Sequence, residues 1–294
     1  MSPKHFARRD IAFDAGGTRL AGWLYMPRLG AEPSPLIVMT HGLSGVIAMG
    51  LEDYAGAFAE AGLASLLYDH RNFGMSGGEP RQEADPWQQV HDMRDAIGFA
   101  RTLPGIDGER IGLWGTSYSG GHAIVLGALD RRVKCVIAQA PLVSGHRTMA
   151  HWVPPAEMPA LIEDFIADRD ARARGAAPVV TPVVEPGTEE AAWVEATDKT
   201  GAFVNEITLR SRELILEYEP DVFIERIAPT PFMMIVAARD NITPSDDQMR
   251  VFERALEPKR LVTIDCGHFD VYSSHLAEAA AAAREWFSEH LLVG

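Results

Sequence analysis

The chain has 294 residues, 47% apolar and 23% charged, the composition of a folded globular protein rather than a disordered one. Lys and Arg number 27 against 41 Asp and Glu, a net charge of −14. That balance argues against nucleic-acid binding, which needs cations against phosphates, and against docking on anionic membranes, so neither is expected as a partner.

The N-terminal run MSPKHFARRDIAF is too polar for a secretory h-region. Strands are expected near 10–14 and 19–27, joined by Ala15-Gly16-Gly17-Thr18 as an antiparallel hairpin. The longest uncharged early stretch, 33–51, holds His41, two prolines and three glycines, so it is not a membrane span. From there short β-rich runs alternate with helix-length amphipathic ones, and no repeat of 20–50 residues is visible. The strand runs are PLIVMTHG, ASLLYDH, RIGLWGTS, VKCVIAQAP, PFMMIVAARD and KRLVTIDC. The helical runs are LEDYAGAFAEAG, DPWQQVHDMRDAIGFARTL, YSGGHAIVLGAL, SDDQMRVFERALE and SHLAEAAAAAREWFSEHLL. Strands apolar on both faces, alternating with helices, predict an α/β fold with a mostly parallel twisted sheet covered on both sides. The last helix carries an apolar stripe through Leu276, Ala280, Ala283, Trp286 and Leu291; it is expected to pack on the sheet, with a homodimer contact as the alternative.

One segment breaks the rhythm, so the core is assigned to 1–144 and 223–294 and a helical cap or lid to 145–222. Within it EMPALIEDFIADRDARARG reads as a helix with Leu161, Ile162, Phe165 and Ile166 on one face, APVVTPVVEPG as an extended loop, and NEITLRSRELILEYE as a second helix. Cys135 and Cys266 lie in apolar runs without a C-x-x-C, which suits reduced, buried thiols and a cytoplasmic location.

Gly115-Thr116-Ser117-Tyr118-Ser119-Gly120-Gly121 follows one strand directly and opens a helix. A nucleophilic serine needs such a sharp turn, with small residues two before and two after it. Gly115 meets the first requirement; Ser119 stands where glycine is more usual, and as a nucleophile itself it would lack the glycine at −2. A serine hydroxyl also needs a base, and the base an orienting acid. His268, in Cys266-Gly267-His268-Phe269-Asp270, lies after the last strand at the carboxyl edge of the sheet. His91 and His122 fall inside helices, and His70 ends a strand with no proton-transfer role in view. Asp240 ends its strand at the same edge; Asp265 is a minor competitor, and Asp246 and Asp247 are first-turn helix carboxylates. The catalytic set is therefore Ser117, Asp240 and His268, in the chain order of the α/β-hydrolase arrangement. In Thr40-His41-Gly42-Leu43-Ser44-Gly45, Gly42 permits close backbone approach, so the N–H groups of Leu43 and Tyr118 are the expected oxyanion donors.

THGLSG, YDHRNFGMSGGEPR, GTSYSGG, AARDNITP and GHFDVY, in that order, resemble the α/β-hydrolase superfamily across nearly the whole chain. Within it the chain is similar to the dienelactone-hydrolase-like, acetylxylan-esterase-like and fungal polyketide-transferase-like groups, and GTSYSG resembles the elbow of cocaine-esterase-like acylases. The resemblance implies a Ser-His-Asp serine hydrolase cleaving a carboxylic ester or thioester, without fixing the substrate. An acyltransferase or a C–C bond hydrolase acting on a polyketide-like substrate would use the same triad, and a ligand-binding protein with an idle triad is the non-enzymatic alternative. Met149, Trp152, Phe165 and Trp193 are the expected substrate-binding side chains of the cap, beside Met158, Phe203 and Leu216, and they suit a medium-sized, apolar, small-molecule acyl substrate. Arg169, Arg172 and Arg174 read as a solvated helix end. No metal-ligand or nucleotide-binding motif occurs, and no cofactor or metal is expected.

Overall fold

The computed structural model describes residues 6–28 and 33–292. Strands β1 (Phe6–Ala15) and β2 (Thr18–Pro27) form an antiparallel hairpin, turned by Gly16 and Gly17 at φ 55° and 83°, conformations that favour glycine. Then follow β3 (Ser34–Thr40), α1 (Leu51–Glu60), β4 (Ala64–Tyr68), α2 (Pro86–Ala100), β5 (Ile106–Thr116), α3 (Tyr118–Leu129) and β6 (Val133–Gln139). After a long insertion come β9 (Phe232–Ala237), α8 (Ser245–Arg254), β10 (Lys259–Ile264) and α9 (Leu276–Leu291). Among the described residues these strands make one eight-stranded sheet in the order β1-β2-β4-β3-β5-β6-β9-β10. The pairs β1–β2 and β2–β4 are antiparallel and every other pair is parallel.

The alternation of side chains along each strand feeds two separate cores. In β9, Phe232, Met234 and Val236 join the core that includes α2 and α3, while Met233, Ile235 and Ala237 join the core that includes α1 and α9. Leu36 and Val38 of β3 divide from Ile37 and Met39 in the same way. Burial on both faces explains why these strands read as unbroken apolar runs. Helix α9 lies on the sheet through Ala280, Ala283, Trp286 and Leu291, joined by Phe287, whose ring takes the space that a Cβ on Gly112 would need. Cys135 and Cys266 are both buried and free. No helix among the described residues is long and apolar enough to cross a membrane.

The insertion between β6 and β9 carries α4 (Gly145–Trp152), α5 (Met158–Ala173), β7 (Val180–Thr181), α6 (Glu189–Thr197), β8 (Ile207–Thr208) and α7 (Leu209–Leu216), then a 3-10 turn at Pro220–Arg226. Two of these helices escaped the pattern reading: α4, capped by Ser144, and α6, capped by Thr188 with Glu189 and Glu190 in its first turn. The apolar stripe expected on α5 is corrected. Phe165 and Asp168 are buried and Leu161 half-buried, whereas Ile162 and Ile166 face solvent. Positions 161, 165 and 168 share one narrow edge, and a step of about 100° to 162 and 166 turns those side chains away from it. The helix expected across 205–219 begins only at Leu209, because Ile207 and Thr208 pair with Thr181 and Val180, after which Thr208 caps α7.

Candidate active site

The turn from β5 into α3 holds Ser117 at φ 54°, ψ −124°, a strained conformation that lifts its side chain off the strand. Three features hold the strain. The Ser117 N–H donates to Gln139 O at 2.8 Å, and its carbonyl accepts from Gly120 and Leu142 N–H at 2.9 Å each. Gly115 is required because a Cβ there would stand 2.1 Å from Ser119 O. Ser119, in the position where glycine is usual, is fully buried, with its Oγ bonded to Thr40 O at 2.8 Å and accepting from Thr116 N–H at 3.0 Å. Its hydroxyl is committed to the joint between β3 and β5 and is closed to the cavity.

The carboxyl ends of β5, β9 and β10 bring Ser117, Asp240 and His268 together across long stretches of chain. His268 Nε2 lies 3.1 Å from Ser117 Oγ, and its Nδ1 lies 2.7 Å from Asp240 Oδ2. The carboxylate can only accept, so Nδ1 carries the proton and Nε2 is the free acceptor that faces the serine. Asp240 is itself held: Oδ1 accepts from the N–H groups of Ile242 and Thr243 at 2.9 Å each, and Oδ2 faces the Thr243 hydroxyl at 2.9 Å and the Gln248 amide at 3.3 Å. Both Asp240 and His268 are buried.

A second constellation stands behind the loop after β3. His41 Nε2 accepts from His70 N–H at 3.0 Å, so the proton sits on Nδ1 and is donated to Gly42 O at 2.8 Å. Fixing the Gly42 carbonyl toward the ring turns the Leu43 N–H the other way, because the two are antiparallel in a trans peptide. Gly42 runs so close to the turn from β5 into α3 that a Cβ on it would lie 3.1 Å from Ser117 Cβ. Burial holds His41, His70 and His122 neutral, with His122 pushed down to about 3. Asp69 is raised by the same burial and accepts from Ile47 and Met75 N–H at 2.8 Å each, pinning the continuations of two loops. Tyr118 opens α3, and its N–H is one of the first-turn donors that have no partner inside a helix.

These groups open into a cavity of about 270 Å³. Its floor includes Gly42, Leu43, Ser117, Tyr118 and His268, and its other walls include Trp152, Val183, Trp193, Phe203, Ile207 and Ile215 of the insertion. Trp193 stacks on Phe269 with centroids 5.1 Å apart, and Trp152 donates its indole N–H to Ile242 O at 2.8 Å.

A family model described as X-Pro dipeptidyl-peptidase (S15 family) matches residues 16–270. The chain belongs to that family of α/β-hydrolases. This S15-family hydrolase is 32% identical over 297 residues to the thiohydrolase aneE of Aspergillus aculeatus, covering 95% of this chain and 91% of the relative. It is 31% identical to the polyketide transferase grgF of a Penicillium species, with 92% of each chain covered. The crystal structure of the α/β-hydrolase GrgF from Penicillium sp. sh18 superposes with a TM-score of 0.85 at 28% identity, covering 97% of this chain and 99% of that one.

Of the side chains expected in the site of this S15-family hydrolase, Ser117, Asp240 and His268 converge and Leu43 and Tyr118 line the same cavity, as do Trp152, Trp193 and Phe203. Met149 and Phe165 are corrections: neither lines the cavity, because Met149 is wholly buried in the main core and Phe165 is buried along the edge of α5. Met158 and Leu216 pack against that core rather than line the cavity. Asp265 is exposed and bonded to Arg239, away from the histidine. His122 is a buried strut, Nδ1 toward Tyr218 Oη at 2.9 Å and Nε2 toward Gln89 Oε1 at 3.3 Å. His41 and Arg212 were missed as lining residues. The Thr-His-Gly motif pointed to His41's loop without giving the ring a task, and a lone arginine on a helix reads as solvent-facing.

Proposed function

We propose that this chain is a serine hydrolase that cleaves a carboxylic ester or thioester of a medium-sized, largely apolar acyl group through an acyl-enzyme. The observation that carries the reading is the chain of contacts Ser117 Oγ–His268 Nε2 at 3.1 Å and His268 Nδ1–Asp240 Oδ2 at 2.7 Å at the floor of an apolar cavity. Ser117 Oγ attacks the carbonyl as His268 Nε2 takes its proton, and Asp240 stabilises the imidazolium that forms. The N–H groups of Leu43 and Tyr118 take the oxyanion; the tautomer of His41 favours this by orienting the Gly42–Leu43 peptide. His268 then protonates the leaving oxygen or sulfur, and water, activated by the same imidazole, releases the acid. The insertion serves as a cap that keeps bulk water from the acyl group. The names of the relatives, thiohydrolase and polyketide transferase, support an ester or thioester substrate.

The transferase name also supports a second reading, in which an acceptor alcohol or amine replaces water at the acyl-enzyme. C–C bond hydrolysis on a polyketide-like substrate uses the same triad, and no specific contact favours it. A fluorophosphonate probe, followed by p-nitrophenyl esters and acyl thioesters of graded length, tests the proposal. Labelling of Ser117 and turnover that vanishes in Ser117→Ala are expected; a folded protein in which Ser117 takes no label would instead make it a ligand-binding protein with an idle triad. Product analysis with and without an acceptor separates hydrolysis from transfer.

A further inference from the structure

Among the described residues, the cavity wall carries one acidic side chain, Glu190, and one guanidinium, Arg212. Arg212 stands on α7, three residues before Ile215, and both line the cavity from the same helix face. Nearby arginines are committed: Arg169 bonds Glu213, Arg172 bonds Asp168 at 2.7 Å, and Arg210 bonds Glu83. Arg212 differs. Its guanidinium makes one bond among the described residues, from Nη2 to Pro182 O at 2.9 Å, and takes part in no ion pair there. Five N–H donors fan from a guanidinium, so most of its donor capacity is unspent. This occurs in a chain with 41 acidic side chains, where carboxylates to pair with are abundant.

Glu185 acts on Arg212 through space without closing an ion pair, and a half-buried cation whose donors are largely unspent gains from a ligand that completes them. The structure assigns Arg212 the task of holding an anionic oxygen of the substrate: a carboxylate borne on the acyl chain, away from the scissile carbonyl. The guanidinium fork accepts a carboxylate through two parallel N–H···O bonds. Glu190 repels a negative charge elsewhere on the wall, which steers the acid toward Arg212. The preferred substrate is thus an apolar acyl chain that carries a free acid, attached as an ester or thioester at its other end. This rests on Ser117 as the nucleophile and adds the substrate's second point of attachment.

The test compares kcat/KM for the mono-p-nitrophenyl ester of octanedioic acid with that for p-nitrophenyl octanoate. The wild-type protein should favour the acid-bearing ester, and Arg212→Met should lower that preference by about tenfold to a hundredfold, the range of a charge-assisted bond. Arg212→Lys, which keeps the charge and loses the fork, should retain part of it. A purely structural role for Arg212 would lower both substrates together and leave the ratio fixed, which overturns the inference, as would a wild-type preference for the neutral ester. Calorimetry of monomethyl octanedioate with Ser117→Ala protein, with and without Arg212→Met, reads the same contact without turnover. Unchanged affinity there overturns the anchor, whereas turnover surviving in Ser117→Ala would overturn the nucleophile and leave the ratio test of Arg212 intact.

Discussion

The floor and the roof of the cavity are built on different principles. On the floor Asp240 and His268 are buried and Ser117 is half-buried, its hydroxyl facing the imidazole; Asp240 by itself is contacted by two backbone N–H groups, a hydroxyl, an amide and an imidazole. The roof is thin: α6 buries none of its residues, and α5 buries Phe165 and Asp168. Geometry for bond-breaking needs rigidity, since misplacement by an ångström costs orders of magnitude in rate. Selection of an acyl chain needs only a shaped, largely apolar surface, and a lightly anchored layer supplies it. Substitutions in the floor should therefore act on kcat, and those in the roof on KM and substrate preference.

The sharpest way to break this division is at Ser117. Ser117→Ala should lower turnover of a p-nitrophenyl ester by about 10⁶-fold while the melting temperature stays near that of the parent. Asp240→Asn keeps the shape but removes the charge that fixes the His268 tautomer, and should lower kcat by roughly 10⁴-fold with KM little changed; a change mainly in KM would place Asp240 among the roof functions and refute the split. Acid stability probes the floor as a packed unit. Burial pushes His122 from 6.5 in the unfolded chain down to about 3, so below pH 6.5 the unfolded chain takes up a proton that the folded protein refuses. The stabilisation is complete above that pH and drains as pH falls toward 3, at about 1.4 kcal/mol per pH unit for this group. His41 and His70, also lowered by burial, add to the same slope. Urea titrations from pH 7 to pH 4 should show that decline, and His122→Gln should flatten it. The smallest effect belongs to the roof: Trp193→Ala removes the stack on Phe269 and should raise KM several-fold, about what an aromatic pair of 0.5–1.5 kcal/mol provides, with faster amide exchange in α6 and little change in kcat.

The same division governs what could be read from the residues alone. Strands such as β3 and β9 are buried on both faces, so their apolar runs announced the sheet, and Gly115, Gly42 and the strand-end Asp240 and His268 carried the site with them. The insertion was harder to read because its helices do not rely on wide apolar faces. Ile162 and Ile166 look inward by spacing and outward in fact, since α5 meets its neighbour along one edge. Helix α6 has no fully buried residue, and its half-buried face mixes Glu190 and Thr197 with Trp193 and Val194, so periodicity had little to register, and Thr188 with its two glutamates signalled a start. Met149 looked like a pocket residue because apolar residues in a cap suggest a lining; its burial in the core shows that α4 is rooted in the body of the protein. Arg212 could not be separated by sequence from its paired neighbours, because what distinguishes it is that no carboxylate among the described residues closes an ion pair with it.

The attachment of α4 has a kinetic corollary. His151 and Trp152 reach the carbonyls of Asn241 and Ile242, at 2.8 Å each, one and two residues beyond Asp240. Swinging that end of the insertion outward would tug on the very loop that steadies Asp240, whereas lifting the edge around Trp193 disturbs ring and apolar contacts to Phe269, Tyr272 and their neighbours. Under the proposed function, acyl groups are therefore expected to pass on the Trp193 side of the cavity, with the α4 side fixed against the loop that holds Asp240.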